Sequence, residues 1–538
     1  MKDMSRKIVK FDLDLTEKLI SGVNVIANAV KTTMGPKGRN VLIERPGQHP
    51  IVTKDGVTVA KSVNLSDQFK DLGVQIIKDA SSRTAEEAGD GTTTSMVLAQ
   101  TLYTEGLRMI AAGHDQTEIR NGMLKGSELV LDELKKLSKQ INSKEELMQV
   151  ALVSANGEKE IAELISDAID QIGIDGVVTV EEAKGFKSSL NVVEGFSIDR
   201  GFLSPYFITD SDKMIASFDK CLILICNKKF DSLKDVIKPL EVAAESGRPL
   251  LIVANDVEGD AMQGLVLNHV KGALKNCAIK SPGFGQARHE MLEDIAILTG
   301  GKVFGEGDSF DTFTYEDFGQ CKKVVVKRTS TLLVTGDESS EAITNRVTTI
   351  KEQLNSEDLD DQDYEVLNYR LKKLIGGVAV LRVGASTEAE MIERKDRVDD
   401  ALHATRAALE EGVLPGGGVA LVRASKSISE FNAIKNQSFK SDYLIGLRIV
   451  ETACKMPLQQ IVKNTGRSSD LVLQKVLEGS NTFGYDARNE KYGDMIDLGI
   501  LDPHKVVRCA VENAMSVSSM LLSVGCAMIE DFDGKNNQ

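Results

Sequence analysis

The 538-residue chain contains no tryptophan, and its aromatic residues amount to only 5%. A surface that holds nucleic acid by stacking bases on rings is therefore not expected. Basic charge is also short. Lys and Arg number 65 against 80 Asp and Glu, for a formal net charge of −15. That balance speaks against nucleic acid and anionic membranes as partners. Six histidines are scattered without zinc-ligand spacing. Seven cysteines (Cys221, Cys226, Cys277, Cys321, Cys454, Cys509 and Cys526) form no C-x-x-C pair. An odd, dispersed set reads as reduced thiols in a cytosol-like compartment. No apolar run is long enough to span a bilayer. The basic start around Lys2, Arg6 and Lys7 leads to Asp12 and Asp14, not to an apolar stretch, so no secretory signal is expected. The phosphate-binding pattern G-x-x-x-x-G-K-[ST] is missing, as is any repeat at solenoid spacing.

What is present is long enough for two to four domains. Residues 14–31 place Leu15, Leu19, Val23, Ile26 and Val30 on one helical face, with Asp14 and Glu17 as a capping box. Short β-rich runs at Val41–Glu44 and Ile51–Thr53 follow, and 64–136 reads as mostly helical. Residues 137–193 mix helix with a strand at Val177–Val180. From about 194 to 378, apolar runs such as Leu222–Ile225 and Leu250–Val253 alternate with helical stretches, an α/β pattern. Residues 379–410 read as helical and charged, Gly412 and Gly416 to Gly418 as joints, and the rest as largely helical. The polar end, 531–538, reads as disordered.

The most informative segment is Glu87-Ala88-Gly89-Asp90-Gly91-Thr92-Thr93-Thr94, which opens a helical run. Two glycines allow a tight turn around a ligand. The free N–H groups and positive end of a helix suit phosphate, threonine hydroxyls add donors, and Asp90 can take a hard cation such as Mg²⁺. The plainer alternative is that Asp90 or Thr92 only caps the helix. Thr53-Lys54-Asp55-Gly56 is a second acidic turn, readable as a hairpin. Asp400 is a third acid, on a charged helix face that could simply be solvated. Between 194 and 378, three apolar groups stand out: Phe202 to Phe207; Leu233, Val236, Ile237 and Leu240; and Met262, Leu265, Val266 and Leu267. They read either as a binding face or as stripes packed on their own sheet.

Together these segments resemble the group I chaperonins, the GroEL/Hsp60 family, over nearly the full length. The matching stretches are TMGPKGRN (33–40), TKDGVTVA (53–60), AGDGTTT (88–94), DRGFLSPYFI (199–208), SPGFG (281–285), VDDALHATR (398–406), EEGVLPGGGVA (410–420) and MIDLGILDP (495–503). The resemblance implies a multidomain α+β and α/β chain. A mostly helical equatorial domain would be 1–136 plus 411–538, a small intermediate domain 137–193 plus 379–410, and an α/β apical domain 194–378. Gly195 and Gly377 would be the upper hinge and Gly412 the lower one.

The resemblance also implies roles. Thr33, Met34, Gly35 and Pro36 would line ATP, with Thr33 and Lys54 at a K⁺ site. Asp90 would ligate Mg²⁺, and Gly91, Thr92, Thr93 and Thr94 would bind phosphates. Asp400 would activate the attacking water beside Asp55. Gly417, Asp486, Ala487, Ile500 and Asp502 would surround ribose and adenine. Phe202, Tyr206, Phe207, Ile237, Leu240, Met262, Val266 and Leu267 would form the face that holds non-native clients. The implied protein is a cytoplasmic ATPase that encloses clients in a homo-oligomeric ring, heptameric and single or double, with a GroES-like co-chaperonin. Three departures stand out: DFDGKNNQ in place of a Gly-Gly-Met-rich tail, Asp486 where asparagine is usual, and a longer 427–443 stretch. They suit a second bacterial copy, an organellar form or a virus-encoded form. An ATP-insensitive holdase and a small-molecule kinase are the competing functions. A pure holdase needs neither Asp90 nor Asp400, and a kinase would need a second substrate motif, which the chain lacks.

Overall fold

A computed structural model describes the chain except residues 1–6, 46–49, 142, 156, 173–176, 184, 186, 194, 212, 336–339, 355–360, 376–377, 386, 436–440 and 531–538. Gly377, the polar end and part of the 427–443 stretch thus lie outside the described residues. The chain folds as two compact units, Met1–Ser166 with Ser386–Gln538, and Asp167–Ala385.

The first unit is helical. Leu15, Leu19, Val23, Ile26 and Val30 are all buried along the helix Asp12–Val30, as their spacing requires. This helix packs closely on Gln68–Ala88 because two glycines carry no side chain. A Cβ on Gly22 would lie 1.9 Å from the Lys70 carbonyl oxygen, and one on Gly73 2.4 Å from that of Leu19. The capping box expected at Asp14 and Glu17 does not form. The helix starts earlier, with Phe11 as N-cap and no side-chain cap bond. Asp12 and Asp14 instead sit in the first turn, where a carboxylate complements the helix dipole. Helices Thr92–Ala111, Gln116–Leu137, Ser441–Asn464 and His504–Leu522 complete the same core. Small two-stranded ribbons accompany them. Lys7–Phe11 pairs antiparallel with Cys526–Glu530, and Val41–Ile43 with Ile51–Thr53.

The second unit is α/β. Strands Asn276–Lys280, Leu250–Ala254 and Ala216–Cys226 run parallel, and Gly319–Val326, Thr331–Val334 and Gly195–Ile198 extend the sheet antiparallel. The parallel strands read as unbroken apolar runs because both faces are covered. Their crossovers are the helices Ile237–Ser246 and Gly259–Val270. A separate three-stranded sheet joins Val177–Glu182, Val378–Val383 and Ser189–Val193. The stretch expected to be helical from 379 therefore begins as a strand. Its β-branched run Val378-Ala379-Val380-Leu381 is buried and too short to settle into a helix. The helix follows at Glu388–Glu411.

One buried ionic cluster pins the second unit. Asp294 is fully buried and accepts from Arg370 Nε at 2.7 Å, Arg370 Nη2 at 3.0 Å and Arg346 Nε at 2.7 Å. Replacing it leaves the buried Arg370 guanidinium with Glu290 alone and Arg346 with Glu293 alone. Asp294→Ala is expected to lower the unfolding free energy by about 3–5 kcal/mol, read from urea denaturation of the full chain.

Candidate functional site

Glycines decide how the acidic cleft of the first unit assembles. The helix Thr92–Ala111 starts from Gly91 at φ 85°, with no side-chain cap bond. Neither Asp90 nor Thr92 caps it, so its first-turn N–H groups remain directed at the cleft. Asp90 Oδ1 accepts only the N–H of Gly91, at 2.5 Å. Gly89 closes the preceding helix at φ 73°. A Cβ there would lie 2.2 Å from His403 Cβ, so the helix Glu388–Glu411 packs directly on this loop. Asp400, about a turn before His403, is thereby brought beside Asp90.

The Asp55-Gly56 pair is not a hairpin turn. Asp55 is the N-cap of the helix Gly56–Ser62, accepting from Val57 N at 3.0 Å and Thr58 N at 2.8 Å. Gly56 lets that helix start against the other one, since a Cβ there would lie 2.4 Å from Thr93 Oγ1. Lys54, half-buried, precedes it. Asp502 arrives on the strand Leu501–Pro503, opposite Leu414 of Val413–Pro415. The backbone N–H groups of Gly417 and Gly418 donate to its carboxylate.

Four carboxylates thus share one cleft. Each keeps some exposure, yet protein surrounds them closely enough to withdraw much of their hydration. Asp90 is raised above the usual carboxylate range, first by that desolvation and then by Asp55, against the Gly91 bond. Asp400 is raised well above it by desolvation, then by Asp90 and Asp55. Asp502 is pushed up to about 7 by desolvation and by Asp90. Among the described residues, neither Asp90 nor Asp400 pairs with a cationic side chain, and no three acids or histidines converge as a finished metal cage. A hard cation that takes most of its ligands from water and phosphate oxygens fits such a set.

The other sequence-selected residues of the first unit fall in two groups. Thr33 is buried and its hydroxyl donates to the Val30 carbonyl at 2.8 Å. Gly35 turns the loop at φ 80°, and half-buried Pro36 follows it. Asn464 holds that loop by donating to the carbonyls of Lys31 at 3.0 Å and Met34 at 2.8 Å. Asn464 carries no motif and was not legible in the sequence. In the second group, Ala487 is buried in a cluster with Tyr485 and Met495, against which Ile500 packs. Gly417 keeps the space beside that cluster open. A Cβ on it would meet nothing nearer than Tyr485 O at 3.9 Å and Met495 Sδ at 4.0 Å. Asp486 turns its carboxylate back on its own turn, accepting from Arg488 N at 2.9 Å, Asn489 N at 3.1 Å and Asn489 Nδ2 at 2.7 Å.

In the second unit, the two crossover helices form an apolar cleft of about 240 Å³ lined by residues including Leu233, Ile237, Leu240, Ala244 and Leu274. Beside it Leu267 is 52% exposed and Tyr206 70%. Val270, which the apolar groups read from the sequence did not include, is also exposed, three residues on in the same helix as Leu267. Phe207 departs from expectation. It is completely buried, edge-on to the His269 ring with centroids 5.8 Å apart. The short 3₁₀ turn Pro205–Phe207 sends adjacent aromatics opposite ways, Tyr206 out and Phe207 into the core. Leu240 keeps only its cleft-facing edge, while Phe202, Met262 and Val266 are partly buried against the core.

The first unit thus carries an acidic, glycine-built cleft and the second an apolar one. The TCP-1/cpn60 chaperonin family profile matches residues 26–531, and the chain belongs to that family. Its motifs are those of the GroEL/Hsp60-like members. Among solved structures it is similar to the chaperonin gp146 from the bacteriophage EL 2 (Pseudomonas aeruginosa), crystallised in the presence of ATP-BeFx. The two crystal forms match at 22% identity, with 97% of this chain and 99% of that one covered, and TM-scores of 0.69 and 0.63. At that identity the likeness is one of fold.

The raised acids make stability fall with pH. Asp502 has a folded value near 7 against 3.8 in the unfolded chain, so the folded state holds its proton longer. That contribution is full below the unfolded value and is lost as pH rises through the folded one. In nucleotide-free protein, Asp502→Asn should flatten the decline in urea midpoint over that window. An unchanged slope would show that Asp502 does not feel its acidic neighbours.

Proposed function

We propose that this chaperonin is an ATPase that couples hydrolysis to the capture, enclosure and release of non-native proteins. The carrying observation is the convergence of Asp400, Asp90 and Asp55 at an uncapped helix start. Phosphoryl transfer needs placed charge and a positioned water more than covalent chemistry. The N–H groups and hydroxyls of Gly91, Thr92, Thr93 and Thr94 suit the phosphates. Asp90 would hold Mg²⁺, which neutralises charge on the transferring group. Asp400, with its raised affinity for a proton, suits the acceptor of the water's proton, and Asp55, locked as a helix cap, holds its place beside it.

Thr33, Met34, Gly35 and Pro36 would flank the nucleotide. Thr33 retains lone pairs for K⁺, with Lys54 contributing backbone oxygen. Gly417, Ile500 and Ala487 offer an apolar seat for the base. Asp486 acts through its turn and leaves direct contact with the sugar to Asp502.

Three domains with the limits given above suit this cycle, because the acid that readies water would ride on the intermediate one. Hydrolysis then waits for closure. For clients, the cleft around Ile237, Leu240, Met262, Val266 and Leu267, with Tyr206 and Phe202 nearby, offers non-directional apolar burial without sequence preference. Phe207 would support that face from behind. A homo-oligomeric ring is supported by two of the first unit's two-stranded ribbons, whose outer faces expose Phe11, Met528, Leu42 and Val52. Two-stranded ribbons are marginal alone and gain from a neighbouring edge. Heptameric order, a GroES-like co-chaperonin and a cytoplasmic setting complete the reading.

The test is refolding of an aggregation-prone client with ATP, alongside native mass. Asp400→Ala should retain ATP binding but lose about 10²–10⁴-fold in turnover, and should hold client without releasing it. Leu267→Glu should keep turnover and lose client capture. If ATP changes nothing in the wild type while client stays bound, the chain is a holdase.

A further inference from the structure

The loop after the first long helix opens with the 3₁₀ turn Lys31–Thr33 and runs on through Met34, Gly35, Pro36, Lys37 and Gly38. Its path requires both glycines. Gly35 has φ 80°, and a Cβ on Gly38 would lie 1.9 Å from the Thr33 carbonyl oxygen. The same glycines give the unheld backbone many alternatives. Part of that freedom is removed within the loop. Gly38 N–H donates to the Gly35 carbonyl at 3.0 Å, and Arg39 N–H to the Thr32 carbonyl at 2.8 Å.

More is removed from outside, by the end of the helix Ser441–Asn464. Ile461 seats the turn: a Cβ on Gly35 would lie 3.1 Å from Ile461 Cγ2. Asn464 ties it. Its Nδ2 donates to the carbonyls of Lys31 at 3.0 Å and Met34 at 2.8 Å, which flank Thr32 and Thr33. One turn earlier in the same helix, buried Gln460 donates from Nε2 to Asn464 Oδ1 at 2.8 Å. A side-chain amide accepts at one end and donates at the other. With Oδ1 engaged by Gln460, the NH₂ of Asn464 faces the loop. Gln460 therefore sets the direction in which Asn464 presents its donors.

We infer that Asn464 is a positioning residue for the nucleotide, with Gln460 as the residue that orients it. The pair fixes the Lys31–Gly38 loop in its binding shape before any ligand arrives. This rests on the reading above, in which Thr33, Met34, Gly35 and Pro36 flank ATP. A loop that is already ordered loses less conformational freedom on binding, so affinity rises without a new contact to the ligand. The chemistry is held elsewhere. Asp55 is fixed by its helix cap, and Asp90 and Asp400 meet through the contact of Gly89 with His403. Loss of Asn464 should therefore raise KM and leave kcat, the mark of lost uniform binding. A merely structural tie would move the urea midpoint and leave nucleotide affinity where it was.

The test titrates ADP with Mg²⁺ calorimetrically into the full chain, with ATP turnover and the urea midpoint measured on the same samples. Asn464→Asp keeps the shape but turns an oxygen toward two carbonyls. Asn464→Leu removes the donors without adding charge. Each should weaken ADP about tenfold or more and raise KM to match, with kcat within about twofold of wild type. Gln460→Leu loses only the orienting bond and should weaken ADP about threefold, again at unchanged kcat. Wild-type ADP affinity in both Asn464 variants, or kcat falling in step with affinity, overturns the inference. Should the Asn464 variants fail to fold, Gln460→Leu decides, and ADP affinity equal to wild type overturns it. A wild type that binds no ADP gives a different result, since it sinks the nucleotide reading itself and this inference with it.

Discussion

Like charge held together without a counter-ion is the constraint on which the first unit turns. Asp55, Asp90, Asp400 and Asp502 come from four separate parts of the chain, and burial disfavours the charged form of the last three. Packing elsewhere imposes their company. Gly89 against His403 and Gly56 against Thr93 permit backbones to meet where any side chain would collide. The buried face of Asp12–Val30 and its partners supplies the apolar burial that opposes the repulsion. A cation entering such a cleft would relieve that repulsion, and its binding would then be linked to folding.

The second unit applies the opposite device. Its sheet is saturated with buried aliphatic residues, and Asp294 with two arginines ties three helices behind it. A rigid base of this kind can expose Ile237, Leu267 and Tyr206 without collapsing over them. Exposed apolar surface held open by a stiff support is what a binder of non-native chains requires. The same rigidity explains why Phe207, one residue from Tyr206, is structural.

Much was legible in the chain itself. The period of Leu15, Leu19, Val23, Ile26 and Val30 located a helix and its buried face, and the apolar runs at Leu222 and Leu250 located central strands. Family membership was legible too, because motifs spread from residue 33 to 503 keep their order. Short signals were less secure. Val378 to Leu381 reads as helix or strand by composition, and only pairing with two neighbouring strands settles it. Asp14 and Glu17 had the right spacing for a cap, but the helix began before them. Asn464 carries no signal at all, because its role is a contact with a loop 430 residues away in sequence.

What the sequence by itself determined was therefore local or cumulative: helix faces, strand runs, glycine turns, the acidic balance and the family. These follow from side-chain period and backbone freedom, which act over a few residues. Tertiary structure alone decided which acids feel one another, which of two adjacent aromatics faces solvent, and that Asp486 spends its carboxylate on its own turn. Those properties depend on distance, desolvation and direction between segments far apart in the chain, and no local pattern encodes them.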